Sequence, residues 1–269
     1  MHHGDRRHHR QWRGNDRQQA HVPRTGFGAL RPGGLMRAIL PILALLLATG
    51  ATKPVPMDPR NPSCPEKVDW GVAKAMALSV ADKGGRHVLI ADGIIDARLP
   101  ARLKAALDAD ERIEEIWLKS RGGDAEAGNR AGKVIRSYPG MVTRIPAGWT
   151  CFSACNFVFM GGDRRFVDPG GIFMVHMFTH TGDRDVIEIS VDEGTEETTR
   201  LIGEIEQSSA LLASEDNDFL IRMGISRKLL TEIMYRQQAV ATKENPSTRY
   251  CLNQEEVRKY NVVPLEKAE

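Results

Sequence analysis

Several features that would assign the chain to a simple functional class are missing from its sequence. It has no fingerprint for a nicotinamide, flavin or ATP cofactor, so we expect none. Its four cysteines include no CxxC pair with a nearby His, which argues against a zinc site. It also lacks a basic body: residues 1–51 carry eight Arg against two Asp, so the net charge of +2 becomes −4 beyond them. This balance argues against nucleic acid as a partner, because phosphate binding requires concentrated Lys and Arg.

Long apolar runs are also absent. The run Ala38–Ala48 has only eleven residues, whereas a transmembrane helix needs roughly 20. It follows Met36-Arg37 and ends at the small residues Thr49-Gly50-Ala51, which are the three parts of a secretory signal. Residues 36–51 are therefore predicted to be a signal peptide, which places the mature protein in the periplasm or outside the cell with no stable membrane span. A short uncleaved anchor or a buried helix is the alternative.

The segments on either side of this signal have biased compositions. Residues 1–35 are rich in His and Arg and lack apolar periodicity, so we interpret them as a disordered extension or a mis-assigned start before Met36. Metal binding by its histidines is the alternative, although such tracts are usually solvated and we predict no metal site; those histidines are His2, His3, His8 and His9. Residues 52–73 begin with five Pro among fourteen residues and are predicted to be an extended linker, followed by one α/β domain over 74–269.

All four cysteines lie beyond the predicted signal, as expected of a protein in an oxidising compartment. Cys151 and Cys155 are four residues apart, whereas Cys64 and Cys251 lie near opposite ends of the mature chain. The pairs Cys151–Cys155 and Cys64–Cys251 are the simplest of the three connectivities. We therefore predict two structural disulfides.

The mature chain alternates between strand-like and helix-like segments, which predicts a mainly parallel sheet with helices packed against it. Active sites on such sheets lie at the carboxyl ends of the strands. The charged triplets Asp163-Arg164-Arg165 and Asp183-Arg184-Asp185 are interpreted as solvated turns. Strands are predicted at Lys74–Ala81, His87–Ile95, Glu115–Lys119, Met141–Ile145, Ile172–Met177 and Asn261–Val263, and helices at Leu99–Leu107, Ala125–Ser137, Ser153–Met160, Glu196–Met223, Ser226–Tyr235 and Glu255–Lys259.

Three motifs at predicted strand ends could carry chemistry. Ser120-Arg121-Gly122-Gly123 follows a strand, and its glycines would let backbone amides face a ligand, although Gly-Gly there is often only a tight turn. Ser153 opens an apolar helix, where its hydroxyl and the amide of Ala154 could serve a nucleophile, although a helix N-cap is the commoner role. His176 lies in an apolar strand, where a hydrogen-bonded core residue is the commoner role.

The order of these motifs resembles the Clp protease proteolytic subunit and is similar to the wider crotonase superfamily and signal peptide peptidases. The resemblance runs from about His87 to Pro264 and implies a repeated ββα fold of mainly parallel sheet flanked by helices. It implies that Ser153 is the nucleophile and His176 the base. It also implies that the amides of Gly122 and Ala154 form the oxyanion hole.

Two departures from the family pattern matter for function. The family's orienting Asp has no match, and Glu244, Asn245, Asp183 and Asp185 remain open as substitutes; a dyad without that acid would lose much of its rate. A Cys pair brackets the serine, as in exported relatives, and a bridge there could stiffen the turn. The sequence predicts an exported serine hydrolase that cleaves a peptide or protein substrate and leaves open a homo-oligomer. A non-catalytic envelope binding or assembly module on the same fold is the alternative.

Overall fold

The computed structural model describes residues 55–176, 180, 183–240 and 249–264. The extension 1–35 and the predicted signal peptide 36–51 lie outside these residues. None of the described helices is both long and apolar enough to cross a membrane. In chain order the elements are β1 Met57–Asp58, β2 Asn61–Pro65, β3 Ala77–Lys83, β4 Arg86–Asp92, α1 Leu99–Ala109, β5 Glu115–Lys119, α2 Ala125–Arg136, β6 Val142–Ile145, β7 Thr150–Phe152, α3 Cys155–Met160, β8 Arg164–Val167, β9 Ile172–His176, α4 Arg184–Glu193, α5 Thr195–Arg222, α6 Lys228–Val240, β10 Arg249–Leu252 and α7 Gln254–Lys259.

A five-stranded sheet of order β3-β4-β5-β6-β8 forms the centre of the fold. β3 pairs antiparallel with β4, and the other neighbours pair in parallel. In the central strand β5, Ile116 and Leu118 are fully buried and lie on the same face of the sheet, as alternate residues of a strand do. The predicted α/β class and mainly parallel sheet are confirmed.

A smaller sheet of order β10-β9-β7 lies at the carboxyl end of β5. β9 pairs in parallel with β7 and antiparallel with β10, where Arg249 lies opposite His176. A bridge between Ser120 and Cys151 joins the end of β5 to β7. This arrangement brings the glycine motif after β5, the residue after β7 and the last residue of β9 to one edge.

Helix α2 packs closely against α3 because two glycines on its buried face leave room for the α3 backbone. A Cβ at Gly128 would lie 2.6 Å from the Ala154 carbonyl oxygen, and one at Gly132 would lie 2.3 Å from that of Phe157. The start of α2 is fixed by Asp124, whose side chain accepts a hydrogen bond from the Ala127 amide at 2.8 Å. The position of α3 is therefore set by a rigid, capped neighbour.

The segment predicted to be a linker is part of the folded body. β1 and β2 form an antiparallel hairpin. Asn61 Nδ2 donates a hydrogen bond of 2.6 Å to the Arg249 carbonyl, and Ser63 Oγ accepts one of 3.3 Å from the Cys251 amide. Cys64 is buried and bonded to Cys251. The prolines therefore suit an edge hairpin, where missing amide donors are tolerated.

The structure also differs from the predictions at Arg165 and at residues 261–263, which lie in contact with each other. Arg165, predicted to lie in a solvated turn, is buried in β8 and donates hydrogen bonds to the carbonyls of Gly162, Asn261 and Val262. Desolvation lowers the pKa of its guanidinium to about 10. Residues 261–263, predicted to be a strand, form a turn in which Asn261 has a φ of 57°. The turn presents the carbonyls that Arg165 binds, which no local pattern in the sequence indicates.

Candidate active site

Ser153 occupies a strained turn between β7 and α3. Its φ is 60°, a left-handed conformation that costs a non-glycine residue about 1–2 kcal/mol. It is not the N-cap of α3, because the helix begins at Cys155, the flanking residue is Ala154, and no side chain caps that end. The side chain of Ser153 is partly exposed and is directed to another partner. Strain of this kind, held in place by the surrounding structure, is typical of functional residues.

That partner is His176, the last residue of β9. Its Nε2 lies 2.6 Å from Ser153 Oγ, within hydrogen-bond distance. The imidazole is partly exposed and contacts the ring of Phe152, with 4.8 Å between the ring centroids. His176 is therefore not a core residue enclosed by the sheet. The structure brings together the two side chains that the sequence motifs single out.

The two predicted oxyanion donors, the backbone amides of Gly122 and Ala154, lie beside Ser153 but differ in whether they already donate a hydrogen bond. The amide of Ala154 donates to no residue in the described ranges. The amide of Gly122 donates to Ser120 Oγ at 3.0 Å. Gly122 has a φ of 89°, and a Cβ there would lie 2.7 Å from Ser153 Cβ and 3.0 Å from the Ala154 nitrogen. Only glycine allows this close approach to the serine.

The sequence left four residues open as the group that would orient His176, and neither of the two that the structure describes, Asp183 and Asp185, is placed for that role. Asp183 is engaged elsewhere, since its Oδ2 lies 2.9 Å from His180 Nδ1. Asp185 is an exposed residue in the first turn of α4. Glu244 and Asn245 lie outside the described residues.

Two disulfides lie close to the serine and histidine elements. Cys151 and Cys155 are bonded across the Ser153 turn, with 5.3 Å between their Cα atoms. Cys64 and Cys251 join the hairpin to β10, with 5.1 Å between their Cα atoms. The first pair fixes the two ends of the serine turn, and the second fixes the strand next to His176.

A cleft of about 450 Å³ opens beside Ser153 and His176. Its walls are mostly apolar and come from α3, β9, α5 and α6. A second cavity of about 350 Å³ lies where β5, β6 and β8 begin and contains none of the predicted site residues. Among the described residues, no three His, Cys, Asp or Glu side chains are placed to hold a metal ion. Apolar wall residues of the first cleft include Phe157, Met160, Val175, Leu212, Leu229 and Leu230.

The wall of this cleft also contains two polar residues that the sequence motifs do not indicate. Asn156, on α3, is only 5% exposed and donates from Nδ2 to the Met174 carbonyl at 2.7 Å. Asp216, on α5, lies in the sequence Ser214-Glu-Asp-Asn-Asp218, which is typical of a solvated helix face. Its burial depends on how α5 packs against α2, and no local signal reveals it.

The mainly parallel α/β fold holds a Ser–His pair at the carboxyl ends of its strands. No protein-family model and no curated protein matches the chain. Solved structures that match include ClpP1 of Listeria monocytogenes, at 18% identity and a TM-score of 0.38, over 64% of this chain and 85% of that one. A membrane-bound stomatin-specific protease matches at 15% identity and a TM-score of 0.37, over 64% and 73% of the two chains. An enoyl-CoA hydratase of Shewanella pealeana matches at 14% identity and a TM-score of 0.28, over 36% and 48%.

Proposed function

We propose that this chain is an exported serine hydrolase that acts as a peptidase, with Ser153 as nucleophile and His176 as general base. The observation that carries the proposal is the distance of 2.6 Å between Ser153 Oγ and His176 Nε2 in the wall of an open apolar cleft. A nucleophile and its base must lie within hydrogen-bond reach of each other. The strained φ of Ser153 supports the same role, because nothing about helix capping requires it.

In the proposed reaction, Ser153 Oγ attacks the carbonyl carbon of a peptide bond while His176 Nε2 takes the hydroxyl proton. The carbonyl oxygen becomes an oxyanion in the tetrahedral intermediate. His176 then gives its proton to the leaving amine as the carbon–nitrogen bond breaks, which leaves an acyl-enzyme on Ser153. Water, deprotonated by His176, attacks the ester and releases the carboxylic acid.

The amides of Ala154 and Gly122 would stabilise the oxyanion. The Ala154 amide supports this role because it has no acceptor among the described residues and belongs to the residue after the nucleophile. Gly122 lies against Ser153, but its amide would have to exchange the bond to Ser120 Oγ for one to the oxyanion. The exchange requires only that the Ser120 hydroxyl move aside, because a hydroxyl can change its rotamer and partner.

Export is supported by the cysteines and by the signal-like segment 36–51. Disulfides form and persist in oxidising compartments, and both cysteine pairs lie at bonding distance. An exported enzyme does not meet acyl-CoA, which is cytoplasmic, so a peptide or protein is the better substrate class. The acidic balance of the mature chain does not favour nucleic acid.

Labelling by a fluorophosphonate tests this function directly, because the reagent reacts with activated serines. We expect the wild type to be labelled, and Ser153→Ala and His176→Ala to be unlabelled with melting temperatures close to that of the wild type. Ser190→Ala is the control, since the Ser190 hydroxyl donates to the Ile187 carbonyl of its own helix, and the Ser190 carbonyl accepts a hydrogen bond from Thr198 Oγ1. It should retain full labelling.

The alternative is a binding or assembly module that keeps the fold without the chemistry. The bond between the Gly122 amide and Ser120 Oγ favours it, because one proposed oxyanion donor is engaged. On this alternative, folded wild-type protein would show no labelling, and the Ser153 and His176 variants would differ from it only in stability. That result would refute the proposed hydrolase.

A further inference from the structure

Within the part of the chain that the structure describes, the cleft beside Ser153 contains a carboxyl group without a cationic partner. Asp216 projects into its wall from α5, and neither Lys nor Arg occurs among the described residues that line it. Asp216 forms no ion pair within the described ranges, whereas the exposed Asp218 on the same helix pairs with Arg222. A partly buried carboxylate without a cation is unfavourable, because burial removes water that would stabilise the charge.

Two hydrogen-bond acceptors in the wall of the cleft have no partner among the described residues: one belongs to this carboxyl group and the other to Asn156. Asp216 Oδ1 is buried and has no hydrogen-bond partner in the described structure. Asn156 Oδ1 is also buried without a hydrogen-bond partner in the described structure, although Nδ2 of the same side chain donates to the Met174 carbonyl. The amide of Asn129, on α2, lies near enough to act on the Asp216 carboxyl, but its Nδ2 does not reach hydrogen-bond geometry. The cleft therefore offers acceptor oxygens that the described chain leaves unsatisfied.

The electrostatics agree with this geometry. The pKa of Asp216 is raised from 3.8 to about 7: desolvation is the largest cause, Asn129 acts to lower the pKa, and the charge of Glu215 on the same helix acts to raise it. His176 is the other titratable residue among those that line the cleft in the described ranges. A cation placed against the Asp216 carboxyl would favour its charged form.

Building on the proposed peptidase function, we propose that Asp216 is a specificity-determining residue that selects a substrate side chain with an apolar stem and a cationic end. Lys and Arg are the side chains of this kind in peptides. Their methylene stems would lie against the apolar walls, as such stems do at protein surfaces. Their ammonium or guanidinium group would pair with the Asp216 carboxylate, and Asn156 Oδ1 would offer a further acceptor in the same cleft.

Cleavage of paired peptides tests this assignment. The two peptides differ only at the residue on the acyl side of the scissile bond, which is Lys in one and the uncharged norleucine in the other. For the wild type at pH 8 we expect kcat/KM to favour Lys by at least about tenfold, and for Asp216→Asn we expect the ratio to fall to about one or below. Asp218→Asn is the matched control and should keep the wild-type ratio. A wild type that cleaves both peptides equally, or an Asp216→Asn variant that keeps the Lys preference, would overturn the proposal.

A binding measurement separates failure of this inference from failure of the proposed function. Titration calorimetry of the Ser153→Ala variant with n-pentylammonium and with 1-pentanol needs no catalysis. We expect the ammonium ion to bind at least about tenfold more tightly than the alcohol, and the preference to disappear in the Ser153→Ala/Asp216→Asn double variant. Ammonium binding without fluorophosphonate labelling would refute the hydrolase and sustain the cationic cleft. Labelling of the wild type with no preference for the ammonium ion would sustain the hydrolase and overturn the cleft assignment.

Discussion

Replacing Asp216 by Asn should stabilise the folded protein above neutral pH and leave its stability unchanged in acid. Burial in the cleft wall raises the pKa of this carboxyl from 3.8 to about 7. The folded state therefore holds a proton on Asp216 over a pH range in which the unfolded chain has already released it. Asn cannot ionise and has nearly the same shape, so the substitution removes the charge with little change in packing.

The sign and size of the effect follow from proton linkage. Between pH 3.8 and about 7 the folded state binds more protons than the unfolded state, so the free energy of unfolding falls as the pH rises. The destabilisation of the wild type by the Asp216 charge is absent below the pKa of the unfolded state and reaches its full value above the pKa of the folded state. A shift of about three units corresponds to about 4 kcal/mol at most. Because the side chain keeps some exposure, we expect a gain of about 2–4 kcal/mol for Asp216→Asn at pH 8.

Urea denaturation followed by circular dichroism, with the disulfides oxidised, measures this difference at intervals from pH 3 to pH 8. The difference between Asp216→Asn and the wild type should be near zero at pH 3, grow through the weakly acid range and level off above pH 7. Asp218→Asn is the control, since that side chain is 53% exposed and pairs with Arg222; it should differ from the wild type by less than about 1 kcal/mol. A difference that is constant with pH, or an Asp216→Asn variant that is less stable at pH 8, would contradict the reasoning.

Three further outcomes are expected. Gly132→Ala should destabilise the domain by about 1–3 kcal/mol, seen as a lower melting temperature, because the added Cβ would lie 2.3 Å from the Phe157 carbonyl oxygen; an unchanged melting temperature would show that α2 and α3 pack less closely. Replacing Cys64 and Cys251 together by Ser should lower the free energy of unfolding by about 5 kcal/mol in the chain-entropy model, since the bond closes a loop with a sequence separation of 187; urea denaturation checks this, and a loss below about 1 kcal/mol would contradict it. The mature protein should begin near Thr52 and contain no free thiol, as measured by intact mass and by thiol titration after denaturation; retention of the apolar run would refute the signal peptide, and four reactive thiols would refute the two disulfides.

The sequence indicated the elements of the candidate site because their placement depends on a general property of parallel sheets. Ser120, Ser153 and His176 each follow or end a strand-like segment, and the carboxyl ends of parallel strands meet at one edge. The structure has them there, with Ser120 bridged to the residue two before Ser153 and with Ser153 bonded to His176. Short, apolar, strongly patterned segments such as Glu115–Lys119 are also bounded as predicted.

The features that the sequence did not indicate all depend on contacts between distant segments. The hairpin at residues 57–65 has a proline content that is typical of a linker, and its strands are stabilised by bonds to β10 that only the fold creates. Arg165 looks solvated in its local sequence, yet carbonyls near the C-terminus lie close enough to bind it. Asp216 is partly buried because Phe219, three residues later, packs against Gly132 and Phe157 and so draws α5 onto the body.

The positions of the two disulfides link the proposed chemistry to the proposed compartment. Cys151–Cys155 spans the turn that holds Ser153 at a left-handed φ, and a turn of that kind relaxes unless its ends are constrained. Cys64–Cys251 fixes β10, the strand whose pairing holds β9 and therefore His176 in register. The position of each side chain of the Ser–His pair is thus supported by a disulfide, and disulfides are rare in the cytoplasm because cysteines there are kept reduced. On the proposed function, we therefore expect the hydrogen bond between Ser153 and His176 to become stable only after export, so that the proposed nucleophile would form in the oxidising compartment.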